Sequence, residues 1–186
     1  AKSRKELPSN TRGSGVDEGK FAPMSLVLDE KAGKLFTVSI STPEAAVIDV
    51  ATGEVDKVID LGNSISASGV AFDAQKSRLY VASQGTDNLL IVDVASGKVL
   101  HDVPVGAGAL NVAFDDKSGL AYVTNRGAGT VTVVDRDGKV VGNLDGGTFP
   151  NHVRADGKGS VFAVNKSRGA DDAKGDRITR ITLRQP

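Results

Sequence analysis

The chain has 186 residues, with Lys plus Arg equal to Asp plus Glu at 23 each, two histidines and no cysteine. Its length is enough for a buried core. The zero balance argues against a surface that is a polyanion-binding field throughout, but leaves room for a local basic face. The missing thiols exclude disulfides and thiolate zinc sites, which suits the periplasm and the cytosol alike. No apolar run approaches the length of a membrane-spanning helix. No signal peptide is visible ahead of the first residue, Ala1; processing or truncation would remove one.

Ala1–Lys20 is polar and charged, with one isolated Leu7. It reads as a linker, surface loop or tail. From Phe21 onward, short apolar runs bounded by Gly, Asp and Asn follow one another. The first group spans 21–62, with strands expected at Ser25–Leu28, Lys34–Val38, Ala45–Val50 and Val55–Leu61. The second spans 68–106, with Gly69–Phe72, Arg78–Ser83, Asn88–Asp93 and Val99–Pro104. The third spans 110–146, with Val112–Phe114, Leu120–Thr124, Thr130–Asp135 and Val140–Leu144. The last spans 151–183, with His152–Ala155, Ser160–Val164 and Arg177–Leu183 and no visible fourth strand.

These groups are copies. Asp29, Asp73, Asp115 and Asp156 recur at 44, 42 and 41 residues, and Phe36, Tyr80, Tyr122 and Phe162 at 44, 42 and 40. Asp49, Asp93 and Asp135 close a third run at 44 and 42. Four short strands per unit of this period read as an all-β array of β-propeller blades. A helical-pair array of the same period fails, because no window carries ten residues of 3.6 periodicity. The Asp residues stand before Gly-containing turns, where a carboxylate accepts backbone N–H bonds. The turns at Asp115–Gly119 and Asp135–Gly138 lack the full oxygen-ligand spacing of a calcium loop.

The stretch LAYVTNRGAGTVTVVD resembles the YVTN-type β-propeller repeat. The order of features over Gly69–Leu183, ending in TFPNHVRADGKGSVFAVNKS, a long charged loop and DRITRITL, resembles the C-terminal half of the YncE-like periplasmic seven-bladed propellers. The resemblance implies a periplasmic or cell-surface setting. It names no substrate. Propellers close when one terminus completes the blade begun by the other, yet Ala1–Lys20 holds nothing strand-like. The sequence therefore predicts the C-terminal part of a larger ring of about seven blades. A four-bladed ring, or an open half-ring that associates through its exposed blade faces, are the other readings.

In such a fold, the loops before each first strand and between the second and third strands share one rim, where binding is expected. This nominates Asn125, Arg126, Phe149, Asn151, His152, Lys166 and Arg168 as rim candidates. Arg126 also reads as a turn arginine or an ion-pair partner, and His152 as a hydrogen-bonded structural histidine. Arg126, Arg154, Lys158 and the loop Asn165–Asp176 are expected to form a local basic patch. No catalytic residue, metal site or cofactor is nominated: His101 has no partner, no G-x-S-x-G elbow accompanies the serines, and Asp156–Gly159 is a turn rather than a phosphate loop. The leading expectation is a non-enzymatic binding scaffold with an unknown rim partner. Single-stranded nucleic-acid binding by basic rim loops is the second, weakened by the scarcity of stacking aromatics. A lactonase- or dehydrogenase-like propeller with its site on missing blades is the third.

Overall fold

A computed structural model describes residues 20–183. The expected tail at Ala1–Lys20 thus lies outside the described residues, apart from Lys20. Every regular element described is a strand, and among the described residues no helix is long and apolar enough to cross a membrane. The first antiparallel sheet contains β1 (Pro23–Asp29), β2 (Lys34–Ser39), β3 (Glu44–Asp49) and β4 (Val55–Asp60). The second contains β5 (Ala67–Asp73), β6 (Arg78–Ser83), β7 (Asn88–Asp93) and β8 (Lys98–Pro104). The third contains β9 (Ala109–Asp115), β10 (Leu120–Asn125), β11 (Thr130–Val134) and β12 (Val140–Asp145). The last has three strands among the described residues, β13 (Phe149–Ala155), β14 (Ser160–Lys166) and β15 (Arg177–Thr182). Each sheet is a blade, and β1, β5, β9 and β13 touch in succession as the inner strands.

The turns form as their chemistry dictates. Asp49 Oδ1 accepts the Thr52 N–H at 2.9 Å, and Gly53 follows at φ 71°. Asp93 accepts from Ser96 at 2.7 Å before Gly97 at φ 71°. Asp135 accepts from Asp137 and Lys139 around Gly138. A carboxylate and a left-handed residue together reverse the chain.

The inner strands begin earlier than alternation suggests: at Ala67 rather than Gly69, Ala109 rather than Val112, and Phe149 rather than His152. One cause serves all of them. Each inner strand carries an extra residue near its start, between Pro23 and Ser25, Ala67 and Gly69, Ala109 and Asn111, and Pro150 and His152. A bulge breaks the period of two, so the pattern is legible only beyond it. Phe149 and Asn151, expected in a loop, therefore lie within β13. Asn125 and Lys166 likewise end β10 and β14 rather than starting loops.

The core is a series of layers between blades. Phe36, Val38, Val47 and Ile59 of the first blade pack against Val70, Leu79, Val81 and Val92 of the second. Tyr80, Leu89 and Ile91 then meet Val112, Ala121 and Val123 of the third. Tyr122, Val131 and Val133 meet Val153, Val161 and Ala163 of the last. Aromatic pairs cross two of these layers, Phe36 with Phe72 at 4.7 Å and Tyr80 with Phe114 at 4.8 Å between centroids.

Among the described residues no further blade packs on the outermost faces, and the two differ in chemistry. The first blade exposes Met24, Leu26 and Leu28. The last exposes Phe162, Val164 and Ile178. In the first three blades the row facing the next blade reads Val27–Phe36–Val47, Ala71–Tyr80–Ile91 and Ala113–Tyr122–Val133 across the register. In the last blade the same row reads Arg154–Phe162–Arg180. Arg180 donates through Nε and Nη2 to Ser160 Oγ at 3.1 and 2.9 Å.

Candidate binding site on the rim

Along one rim, the loop between the second and third strands of the third blade is bonded through its backbone to the linkers on either side of that blade. Arg126 N–H donates to the Gly108 carbonyl at 2.9 Å, and Gly127 and Ala128 N–H both donate to the Ala107 carbonyl at 2.9 Å. Gly146 N–H donates to the Gly129 carbonyl at 2.8 Å. Gly108 N–H reaches Asp87 Oδ1 at 2.6 Å. Gly129 and Asp87 both adopt positive φ, at 70° and 54°, so these loops turn tightly. A rim held this firmly presents its side chains from fixed positions.

Three of the candidates converge. The Arg126 guanidinium carbon lies 5.2 Å from the centroid of the Phe149 ring, and that of Arg168 lies 4.6 Å from the same centroid. Phe149 is half-buried, and its N–H donates to Asn165 Oδ1 at 2.6 Å. Arg168 is placed by its loop: its N–H donates to Asp172 Oδ2 at 3.0 Å, and Ser167 N–H donates to Asp176 Oδ1 at 3.1 Å. Asp172 also accepts from the Thr148 hydroxyl at 2.7 Å and the Lys174 N–H at 3.0 Å. The Thr148 bond, then the Arg168 N–H, hold its carboxyl below the usual range. Among the described residues neither Arg126 nor Arg168 has an ion-pair partner.

The other candidates take different places. Asn125 is buried, its Nδ2 donating to Thr130 Oγ1 at 3.0 Å and Thr132 Oγ1 at 2.7 Å, while its Oδ1 has no partner. It anchors the strand end beneath the loop rather than facing outward. Asn165 holds the same position in the last blade, bonding Phe149 N–H and the Lys174 carbonyl. Lys166 is exposed directly across the register from Phe149. Asn151 and His152 lie farther along β13, half-buried at the bulge and exposed, respectively.

The expected patch also needs correction. Arg154 faces the uncovered side of the last blade, and Lys158 sits in the β13–β14 turn at the opposite rim, where its carbonyl accepts from Lys117 Nζ at 3.0 Å. A hairpin puts the two ends of a strand on opposite rims, and sequence proximity conceals this. Beside the arginines, Asp145, Gly147, Asn165, Lys174 and Arg177 line a shallow cleft, with Lys174 Nζ 3.1 Å from Asp145 Oδ2. Among the described residues no group of three or more His, Asp and Glu side chains is arranged to hold a metal ion. Thr148 and Asp172, which position the site, escaped the sequence reading. The repeated Asn125 and Asn165 were the available signal for loop clamps.

Antiparallel blades stacked on successive inner strands, with their loops bonded into a shared rim, define a β-propeller repeat protein. No family model matches the sequence. The chain is 31% identical over 166 residues to the "Uncharacterized protein YncE" of Salmonella typhimurium, and 30% identical over 166 residues to that of Salmonella typhi. Both matches cover 85% of this chain and 46% of the relative, so the chain spans about half the length of these proteins. It is a YncE-like propeller repeat protein. Among solved structures, Kuenenia stuttgartiensis hydrazine synthase superposes with a TM-score of 0.79 at 18% identity, over 92% of this chain and 49% of that one. U3-55K gives 0.73 at 15% identity, over 96% and 57%, and the WD40 repeats of RRP9 give 0.70 at 16% identity, over 84% and 49%. These likenesses show the fold alone.

Proposed function

We propose that this chain is part of a non-enzymatic binding scaffold of the periplasm or cell surface, which engages a partner through the rim of its third and fourth blades. The observation that carries the reading is the meeting of Arg126 and Arg168 at Phe149, on loops pinned by backbone bonds. The setting rests on the YncE-like relatives. The uncovered blade faces and the half-length match support a larger ring of about seven blades. Photo-crosslinkers placed at Arg126 and Arg168 in cells test the scaffold reading. A discrete adduct from the rim, absent when the same group replaces Lys31 on the opposite rim, is expected. Equal labelling from both rims, or substrate turnover by the purified protein, would overturn it.

Single-stranded nucleic acid is the second reading, favoured by one observation: basic residues pair with an aromatic at the rim, as in single-strand sites. It predicts that affinity for an oligonucleotide falls steeply with salt and weakens in Arg126→Ala. Binding that is absent or indifferent to salt would exclude it.

A further inference from the structure

We infer that the group received at this rim is a carboxylate on a peptide segment, held by the paired guanidinium groups of Arg126 and Arg168; this rests on the rim being the binding surface. The repeat supplies its own controls. At the rim position of Phe149, the other blades carry Ala22, Ser66 and Gly108, each accepting the same backbone bond or facing the same neighbour. At the position of Arg126 they carry Ile40, Gln84 and Lys166. The features that build blades recur in every copy, whereas on this rim, among the described residues, an aromatic flanked by two arginines occurs only where the third and fourth blades meet. The blade architecture therefore does not require it.

The charges call for an anion. Both guanidinium carbons lie near one ring centroid, so they are within about 10 Å of each other, roughly one screening length at physiological salt. Two like charges at that range repel, and no described carboxylate is paired with either. Two carboxylates of this rim are occupied: Asp172 holds its own loop and Asp145 pairs with Lys174. The ring stabilises a guanidinium through its face. The N–H edges stay available for the two oxygens of a carboxylate, a geometry that guanidinium matches and ammonium does not.

The same surroundings favour a peptide over nucleic acid. Polyphosphate would pass Asp145, Asp171 and Asp172, all on this rim. The ring that a base would need for stacking already carries the arginines. The remaining aromatics of these blades stand elsewhere, Phe114 and Tyr122 in the layers between blades and Phe162 on the outer face of the last blade. A single carboxylate shared by the two guanidinium groups fits what is present.

The test is a titration of the labelled 186-residue chain with an acetylated, amidated Gly-Glu-Gly peptide, followed by nuclear magnetic resonance. Saturable shifts are expected at the Arg126 and Arg168 Nε–H and the Phe149 amide. Affinity should fall about tenfold in Arg126→Ala and in Arg168→Ala, the loss of one charge-assisted contact each. Arg168→Lys should recover only part of it, and Lys31→Ala should bind as the parent does. No saturation in the millimolar range, equal binding of the Gly-Gln-Gly peptide, or displacement of the peptide by a tighter-binding thymidine oligonucleotide would each overturn the inference. If crosslinking still finds a rim partner while the peptide fails, the carboxylate assignment falls alone. If neither is seen, the rim reading falls with it.

Discussion

Tyr80 and Arg136 show how much a single side chain does between blades. Tyr80 is buried against Phe114, its hydroxyl has no partner, and burial followed by the nearby Asp73 charge pushes its pKa up to about 12. Burial likewise raises Tyr122. With two tyrosines and no tryptophan in the chain, tyrosinate absorbance should show no step near pH 10 and should rise only as the fold is lost. The sign follows from linkage: between pH 10 and about 12 the unfolded chain releases a proton that folded Tyr80 retains, so stability falls as pH rises. Tyr80→Phe keeps the ring stack and removes an unsatisfied hydroxyl; denaturant unfolding should show a change from zero to about 1 kcal/mol in the variant's favour. Arg136 reaches across blades to Asp73, a fully buried carboxylate, at 2.6 Å, and its own carbonyl accepts from Arg78 at 2.8 Å. Arg136→Ala should cost about 3 kcal/mol, because it strands the buried charge. The ordinary turn aspartates were readable from sequence, since their partners lie two to four residues away. The Arg136–Asp73 pair spans 63 residues and was not, because nothing local marks it.

Among the elements, the inner strands concentrate both the constraint and the reading errors. Gly69 follows the bulge of β5 and abuts β9 so closely that a Cβ would meet Asn111 Cα at 2.7 Å and Val112 N at 2.9 Å. Beside it, Ser68 Oγ donates to the Leu110 carbonyl at 2.8 Å. These are backbone atoms that cannot yield as a flexible side chain would. Gly69→Ala should therefore cost about 2 kcal/mol, a fall in Tm of roughly 4–8 °C in a thermal melt. Strands β2, β6 and β10 began where alternation and the Asp-to-Gly turns placed them. The inner strands did not, because each bulge shifts the side-chain phase near the rim, the same end that carries the candidate site. The sequence reading put Arg126, Phe149 and Arg168 on one rim, but set Phe149 and Asn125 in loops and added Arg154 and Lys158 from the wrong ends of a hairpin.

At the scale of the whole molecule, the blades are alike but the array is not symmetrical. Its exposed first face is aliphatic, with Leu26 65% exposed, and its exposed last face sets arginines around Phe162. The period of 40–44 residues made the blades legible, but it gave no sign of this difference, which emerges only when the four registers are aligned strand by strand.

Those two arginines set a cost on end-to-end docking of a second copy of this chain. Repeating units that each bind their neighbour would add copies end to end without limit, and a second chain docking its aliphatic face onto the last blade would have to dehydrate Arg154 and Arg180 against hydrocarbon. Replacing them with the residues of the third blade, Arg154→Ala with Arg180→Val, should remove that penalty. Sedimentation over a concentration series should then show longer assemblies for the double variant than for the parent chain, and the same distribution for both would show that the arginines do not govern growth.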